Sequence, residues 1–142
     1  MSDAVVLDGL PGSTRPRVTA THTYMPPAYV AWRREAVRAL QDAGMLHHDG
    51  PVRVEVLVVV SRPLAPALRD GAGRAVHVGR PDVDNVAKGV LDALVDAGVL
   101  VDDAQVAELV VRRMAGAVRP HQPAYARDAR ERSACHVRVE AL

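Results

Sequence analysis

The sequence predicts a small α/β domain of the α+β type, a mixed β-sheet carrying two main helices. Three observations carry this. Residues 28–43 and 83–97 repeat apolar side chains at three- and four-residue spacing, the period of a helix with one buried face. Residues 5–10, 52–60, 105–114 and 135–142 are rich in β-branched side chains or alternate apolar with polar, the period of a strand. The resulting order β-α-β-α-β-β interleaves the two kinds. The 142 residues, 49% hydrophobic and 25% charged, suit one domain, 1–142, with a single core.

The first strand, residues 5–10, stops at Pro11 and Gly12. Residues 13–18 (STRPRV) read as a basic loop, and residues 19–27 as loop or extended chain ending in two prolines. The first helix has a partial stripe through Val30, Ala31, Arg34, Val37, Arg38 and Leu40, with Gly44 as its stop. Val52–Val60 (VRVEVLVVV) alternates and then becomes wholly apolar, which predicts a central strand. Residues 61–79 hold three arginines, three glycines and two prolines and read as a mobile basic loop. The second helix is the most regular, with Val83, Val86, Ala87, Val90, Leu91 and Leu94 on its stripe and Gly98 closing it. A strand at 105–114, a polar basic loop at 119–132 and an alternating final strand, CHVRVEAL at 135–142, complete the chain.

No apolar run approaches the roughly 20 residues of a membrane span. The N-terminus lacks the charged and apolar regions of a secretory signal. The single cysteine, Cys135, excludes an intrachain disulfide and a CxxC zinc site. A cytoplasmic protein with no membrane partner is the expectation. Composition adds a sharper signal. Of 18 basic residues 17 are Arg, the one Lys is Lys88, the one Asn is Asn85, and Phe and Ile are absent. That skew is what a GC-rich coding sequence produces. Against it, the sole Lys and sole Asn stand three residues apart, which marks positions where the side chain itself is needed. Charge is divided too: residues 82–108 carry seven acids and one base, net −6, against net +7 elsewhere. Such an acidic centre in a basic remainder suits a cation site serving a polyanion. A surface whose charges mix in space gives the same tally.

The acids concentrate in RPDVDNVAKGVLDALVDAGVLVDD, residues 80–103. Asp82 is the expected helix N-cap, where a carboxylate accepts backbone N–H groups well, and Pro81 keeps Arg80 extended. Asp84, Lys88 and Asp92 follow at i, i+4 and i+8, rising about 6 Å per step on one face. Asp82 converges with Asp84 only if it lies just outside the helix. Carboxylates held close repel and need a cation or a proton between them. Lys88 is one candidate and a divalent ion another. The positive end of the helix dipole disfavours a cation, so a metal there needs further carboxylates. Asp102 and Asp103 supply them if residues 99–101 return to the helix start. All-oxygen donors select Mg2+ or Mn2+ over zinc. With basic segments on either side, the sum is metal-assisted phosphodiester hydrolysis. Each piece also has a plainer reading. The first-turn acids complement the dipole, Asp84, Lys88 and Asp92 form a salt-bridged face, Asp96 is solvated, and Asp102 with Asp103 makes a turn. Only the joint spacing is specific.

On that spacing, PDVDNVAKGVLDALVDAGVLVDDAQV resembles the core of the RusA family of Holliday junction resolvases. Upstream, GLPGSTRPRVTATHTYMPPAYVAWRREAV resembles the amino-terminal part of phage and bacterial members. The resemblance implies a small Mg2+-dependent endonuclease that acts as a homodimer on branched DNA, resolving four-way junctions by paired symmetric nicks in recombination and repair. It implies Asp82, Asp84 and Asp103 as catalytic carboxylates and metal ligands, Lys88 as the catalytic lysine, and Asp92 and Asp102 as supporting acids. Arg15, Arg17, Arg80 and Arg113 are candidate DNA contacts, with Arg62, Arg69 and Arg74 on the same phosphate path. Ser13 and Thr14 stand where members often carry Lys, and no Phe is present to wedge a junction open. Two other readings stay open: a broader nuclease cutting flaps or forks, and a catalytically silent junction binder, which the intact acids and Lys88 argue against. Tyr29 and Trp32 are expected in the core or a dimer contact. His47, His48 and Asp49 are expected in a polar turn, and Cys135 buried and inert.

Overall fold

The computed structural model describes residues 3–60, 82–115 and 133–142. The elements run β1 (Ala4–Asp8), β2 (Arg17–Val18), β3 (Thr23–Tyr24), α1 (Pro27–Asp42), β4 (Val52–Val60), α2 (Val83–Asp96), a 3-10 turn (Asp103–Gln105), β5 (Val106–Ala115) and β6 (Ala134–Ala141). Four strands form a mixed sheet in the order β1-β6-β4-β5, with β4 and β5 parallel and the other pairs antiparallel. Both helices lie on one face. This is the α+β architecture expected from the sequence. The loops expected at 61–79 and 119–132, with Arg62, Arg69, Arg74 and Arg80, lie outside the described residues. No helix among the described residues is long and apolar enough to cross a membrane.

The core fills the space between sheet and helices. Leu7, Val54, Val56, Val58, Val137 and Val139 face it from the strands, and Tyr29, Leu40, Val86, Val90 and Leu94 from the helices. Three details differ from the sequence reading. The buried stripe of α1 is Tyr29, Trp32, Ala36 and Leu40, whereas Val30 is exposed. Tyr and Trp carry the largest apolar surfaces on this helix, so burying them sets its rotation. In β4 burial alternates strictly: Val52, Val54, Val56, Val58 and Val60 are buried, and Leu57 and Val59 are only half-buried. The apolar run therefore does not mean two covered faces. Leu57 instead shares an open groove with Val6, Glu55, His136 and Arg138. Residues 13–18 are not wholly loop, because Arg17 pairs with Tyr24 and Val18 with Thr23 in a small hairpin, its second strand falling in the segment read as loop or extended chain. Its turn is tied by Thr19, whose Oγ1 accepts from the His22 amide at 3.1 Å and donates to the His22 carbonyl at 2.9 Å.

The glycine stops behave as expected. Gly44 and Gly98 take φ of 63° and 78°, which side chains with a Cβ rarely adopt. Gly89 has a different reason. A Cβ there would meet Pro11 at 2.9 Å from Cγ and 3.0 Å from Cβ. The segment after β1 therefore lies directly across α2. Ala is normally the better helix former by about 1 kcal/mol, but the Pro11 ring cannot rotate away. Gly89→Ala is expected to destabilise the fold by about 1–3 kcal/mol, the range of overpacking. Thermal denaturation checks this, and an unchanged or raised Tm would show that the segment simply moves aside.

Candidate active site

The start of α2 gathers most of the chemistry. Asp82 occupies the N-cap with φ −66° and ψ 147°, outside the helical stack as convergence with Asp84 requires. Its carbonyl accepts the Val86 amide at 3.1 Å. Its side chain makes no cap hydrogen bond, contrary to the capping role expected for it, so its oxygens are not spent on the helix end. Asp84 is the acid of the first turn, and both carboxylates belong to exposed residues. One turn further, Lys88 is exposed and its Nζ lies 3.6 Å from Asp92 Oδ1.

Asp92 in turn accepts the Tyr29 hydroxyl at 2.5 Å. Tyr29 is buried, and that burial, together with the Asp92 carboxylate, pushes its phenol well above the ordinary tyrosine range. The Arg33 guanidinium sits 5.8 Å from the Tyr29 ring centroid and pairs with Asp96. That bond to Asp96 raises the Arg33 pKa. Asp96 is thus not simply solvated as expected; it joins α2 to α1. The polar line from Lys88 through Asp92 to Tyr29 orients the lysine from inside the core. Tyr29→Phe removes only the hydroxyl and leaves a carboxylate short of one donor. The expected loss is about 1.5 kcal/mol, the scale of a hydrogen bond to a charged group. Chemical denaturation measures it, and unchanged stability would show that Asp92 finds another donor.

Asn85, conspicuous in the sequence as the sole asparagine, has a role that residue spacing did not reveal. Its Oδ1 accepts from the Thr14 amide at 3.1 Å and from Thr14 Oγ1 at 2.8 Å, and its Nδ2 donates to the Gly12 carbonyl at 2.9 Å. Arg15 and Arg17, both exposed, follow immediately. Arg113 pairs in register with Val58, whose side chain points into the core on the helix-covered face. Arg113 is half-buried near the end of β5, toward the end of the sheet from which the chain leaves for α2.

Asp102 and Asp103 lie elsewhere. The Asp102 side chain accepts the Ala104 amide at 2.7 Å, and Gln105 Oε1 accepts the Asp102 and Val101 amides at 3.2 and 2.8 Å. Gln105 Nε2 donates to the carbonyls of His48 and Gly50 at 2.9 and 2.7 Å. The Ala104 bond, followed by one with Asp103, lowers the Asp102 pKa. The His48 amide donates to Val99 at 2.9 Å. The bonds with His48 and Gly50 tie this segment to the turn that precedes β4. Residues 99–101 therefore do not return to the helix start. The physical reason is topological: β5 runs parallel to β4, so α2 is a crossover and the chain re-enters the sheet at the beginning of β4. Fourteen helical residues at about 1.5 Å each put roughly 20 Å between the two ends of α2, and Asp103 follows the end opposite Asp82. Among the described residues no three acids, histidines or cysteines are grouped to hold a metal.

The remaining candidates behave as read. His47 Nδ1 lies 2.6 Å from the Gly98 carbonyl and Nε2 2.6 Å from Asp49, which together raise its pKa and pin a polar turn. Tyr29 and Trp32 are core residues. Cys135 is buried, and desolvation pushes its thiol up to about 12.

No curated protein matches the chain. The family model for endodeoxyribonuclease RusA matches residues 8–124, a span that takes in the Asn85 contacts, both ends of α2 and Arg113. A hard-oxygen, acid-rich helix start beside exposed arginines is consistent with that match, and the chain belongs to the RusA family of endodeoxyribonucleases.

Proposed function

We propose that the protein is a Mg2+-dependent endonuclease that resolves four-way DNA junctions by paired symmetric nicks, acting as a homodimer in recombination and repair. The observation that carries this is the pair of exposed carboxylates at the start of α2, one turn from Lys88, in a chain of this family. Two carboxylates fit Mg2+, which commonly takes one or two and fills its other positions with water and phosphate oxygens. Mn2+ suits the same donors. When bound, the ion would polarise the scissile phosphodiester and acidify a water molecule.

The chain's own residues do the rest. Asp82 and Asp84 would hold the ion. Lys88 sets a positive charge against the charge that develops on the phosphate, and Asp92 fixes the direction of its ammonium. Arginine is a poor substitute because its charge is spread over a planar fork. Arg15, Arg17, Arg80 and Arg113 bind flanking phosphates. Asp103 would reach the site from a second copy, since its own chain holds it at the far end of α2. A two-fold dimer that pairs the start of one α2 with the end of the other brings the three acids together, twice per dimer. Asp102 supports this by capping the turn that carries Asp103.

The test is a labelled four-way junction incubated with the protein and Mg2+. Symmetric nicks in opposing strands are expected. Junction binding without nicks would sink the proposal, and equal cutting of flaps and forks would replace it with a broader nuclease.

A further inference from the structure

We infer that Asn85 is a positioning residue that clamps the arginine segment onto the first turn of the carboxylate-bearing helix, so that phosphate capture and the cutting site share one register. The inference rests on the nuclease reading for the role of Arg15 and Arg17; the clamp itself is geometry.

Asparagine is chemically suited to this position. The clamp needs an acceptor for two Thr14 groups and a donor for the Gly12 carbonyl. A side-chain amide offers both. An ionised aspartate cannot donate, and it would set a negative oxygen against the Gly12 carbonyl. Thr14 is 3% exposed, so its hydroxyl is costly to bury without a partner. Asn85 supplies that partner. One turn along the same face, Pro11 seats against Gly89. The segment is thus held at two points on α2.

From Thr14 the chain has little freedom before it reaches the arginines. Arg15 is one Cα step away, about 3.8 Å. Pro16 locks its own φ, and Arg17 is already paired with Tyr24 in the hairpin. A short stiff lever therefore runs from the residue beside Asp84 to both guanidinium groups. Loosening its root should cost DNA contacts without touching the acids.

The experiment measures affinity of the full-length protein for a fluorescent four-way junction, without divalent metal, across a salt series. Asn85→Ala is expected to weaken binding tenfold or more. It should also flatten the slope of log affinity against log salt by about one to two, since each lost phosphate contact removes roughly 0.9. The rate at saturating junction with Mg2+ should fall by a smaller factor than the affinity. Thr14→Val, nearly isosteric, should shift the slope in the same direction, and Thr14→Ser should restore it. Arg15→Ala with Arg17→Ala should add little in the Asn85→Ala background. A purely structural role leaves the salt slope unchanged, and that result overturns the inference, as does lost cutting at saturation with unchanged affinity. If Asn85→Ala does not fold, Thr14→Val carries the same test. A wild-type protein that binds junctions without cutting sinks the nuclease reading alone, because the slope comparison still stands. Hydrogen exchange at the Thr14 amide, expected to quicken in Asn85→Ala, reads the clamp in the DNA-free protein. Unchanged exchange there rejects it.

Discussion

Asp82→Asn is expected to lower Mg2+-dependent cutting at least a hundredfold while junction affinity stays within a few-fold of wild type. The lower bound is the scale of losing one preorganised electrostatic group from an active site. The substitution keeps shape and volume and removes only the charge. Folding should be nearly unaffected, for two reasons. Asparagine is as good an N-cap as aspartate, and the Asp82 side chain makes no cap hydrogen bond to lose. Removing a negative charge from a surface that meets a polyanion does not oppose binding. The loss should therefore appear in single-turnover cutting across a Mg2+ titration and not in a binding curve. Asp84→Asn should behave alike, with a small added cost of about 0.3–1 kcal/mol because a first-turn acid also complements the helix dipole. Cutting retained in Asp82→Asn would remove that residue from the site.

How far the sequence could be read depended on what each feature needs. The α2 helix was legible because its stripe is long and regular and Gly98 ends it in the expected left-handed turn. The α1 stripe was misplaced because counting apolar positions weighs valine like tryptophan, whereas Tyr29 and Trp32 dominate the buried area. The β2 and β3 hairpin, with strands of two residues, is too short to show any period. Asp82 and Asp84 stood out only through the joint spacing with Lys88 and the later Asp pair. Their relation to Asp103 did not, since it depends on the path of the chain after α2. Asn85 was conspicuous for its rarity, but its partners lie more than 70 residues away in sequence, and no local pattern encodes such a contact.

The separation of Asp103 from Asp82 leads to the second large effect. Mixing Asp82→Asn with Asp103→Asn protein, with subunits allowed to reassort, is expected to restore cutting that neither variant shows alone. If each site takes Asp82 and Asp84 from one copy and Asp103 from the other, a mixed dimer has one site bearing both substitutions and one bearing neither. Random exchange makes about half the dimers mixed, so roughly a quarter of all sites become wild-type in composition. The product should be single nicks, since each mixed dimer has only one intact site. Asp82→Asn mixed with Asp84→Asn supplies the control. Both substitutions lie at the same end of α2, so every site in the mixed dimer keeps one damaged acid and no rescue is expected. Were Asp103 to act within its own chain, every site would lack an acid in both mixtures, and both would stay inactive. Rescue in the first mixture and not the second is therefore specific to a site shared between copies. It also fits the chain's topology, because the crossover that ties Gln105, two residues after Asp103, to His48 and Gly50 cannot bring Asp103 back along α2 without breaking the parallel pairing of β4 and β5.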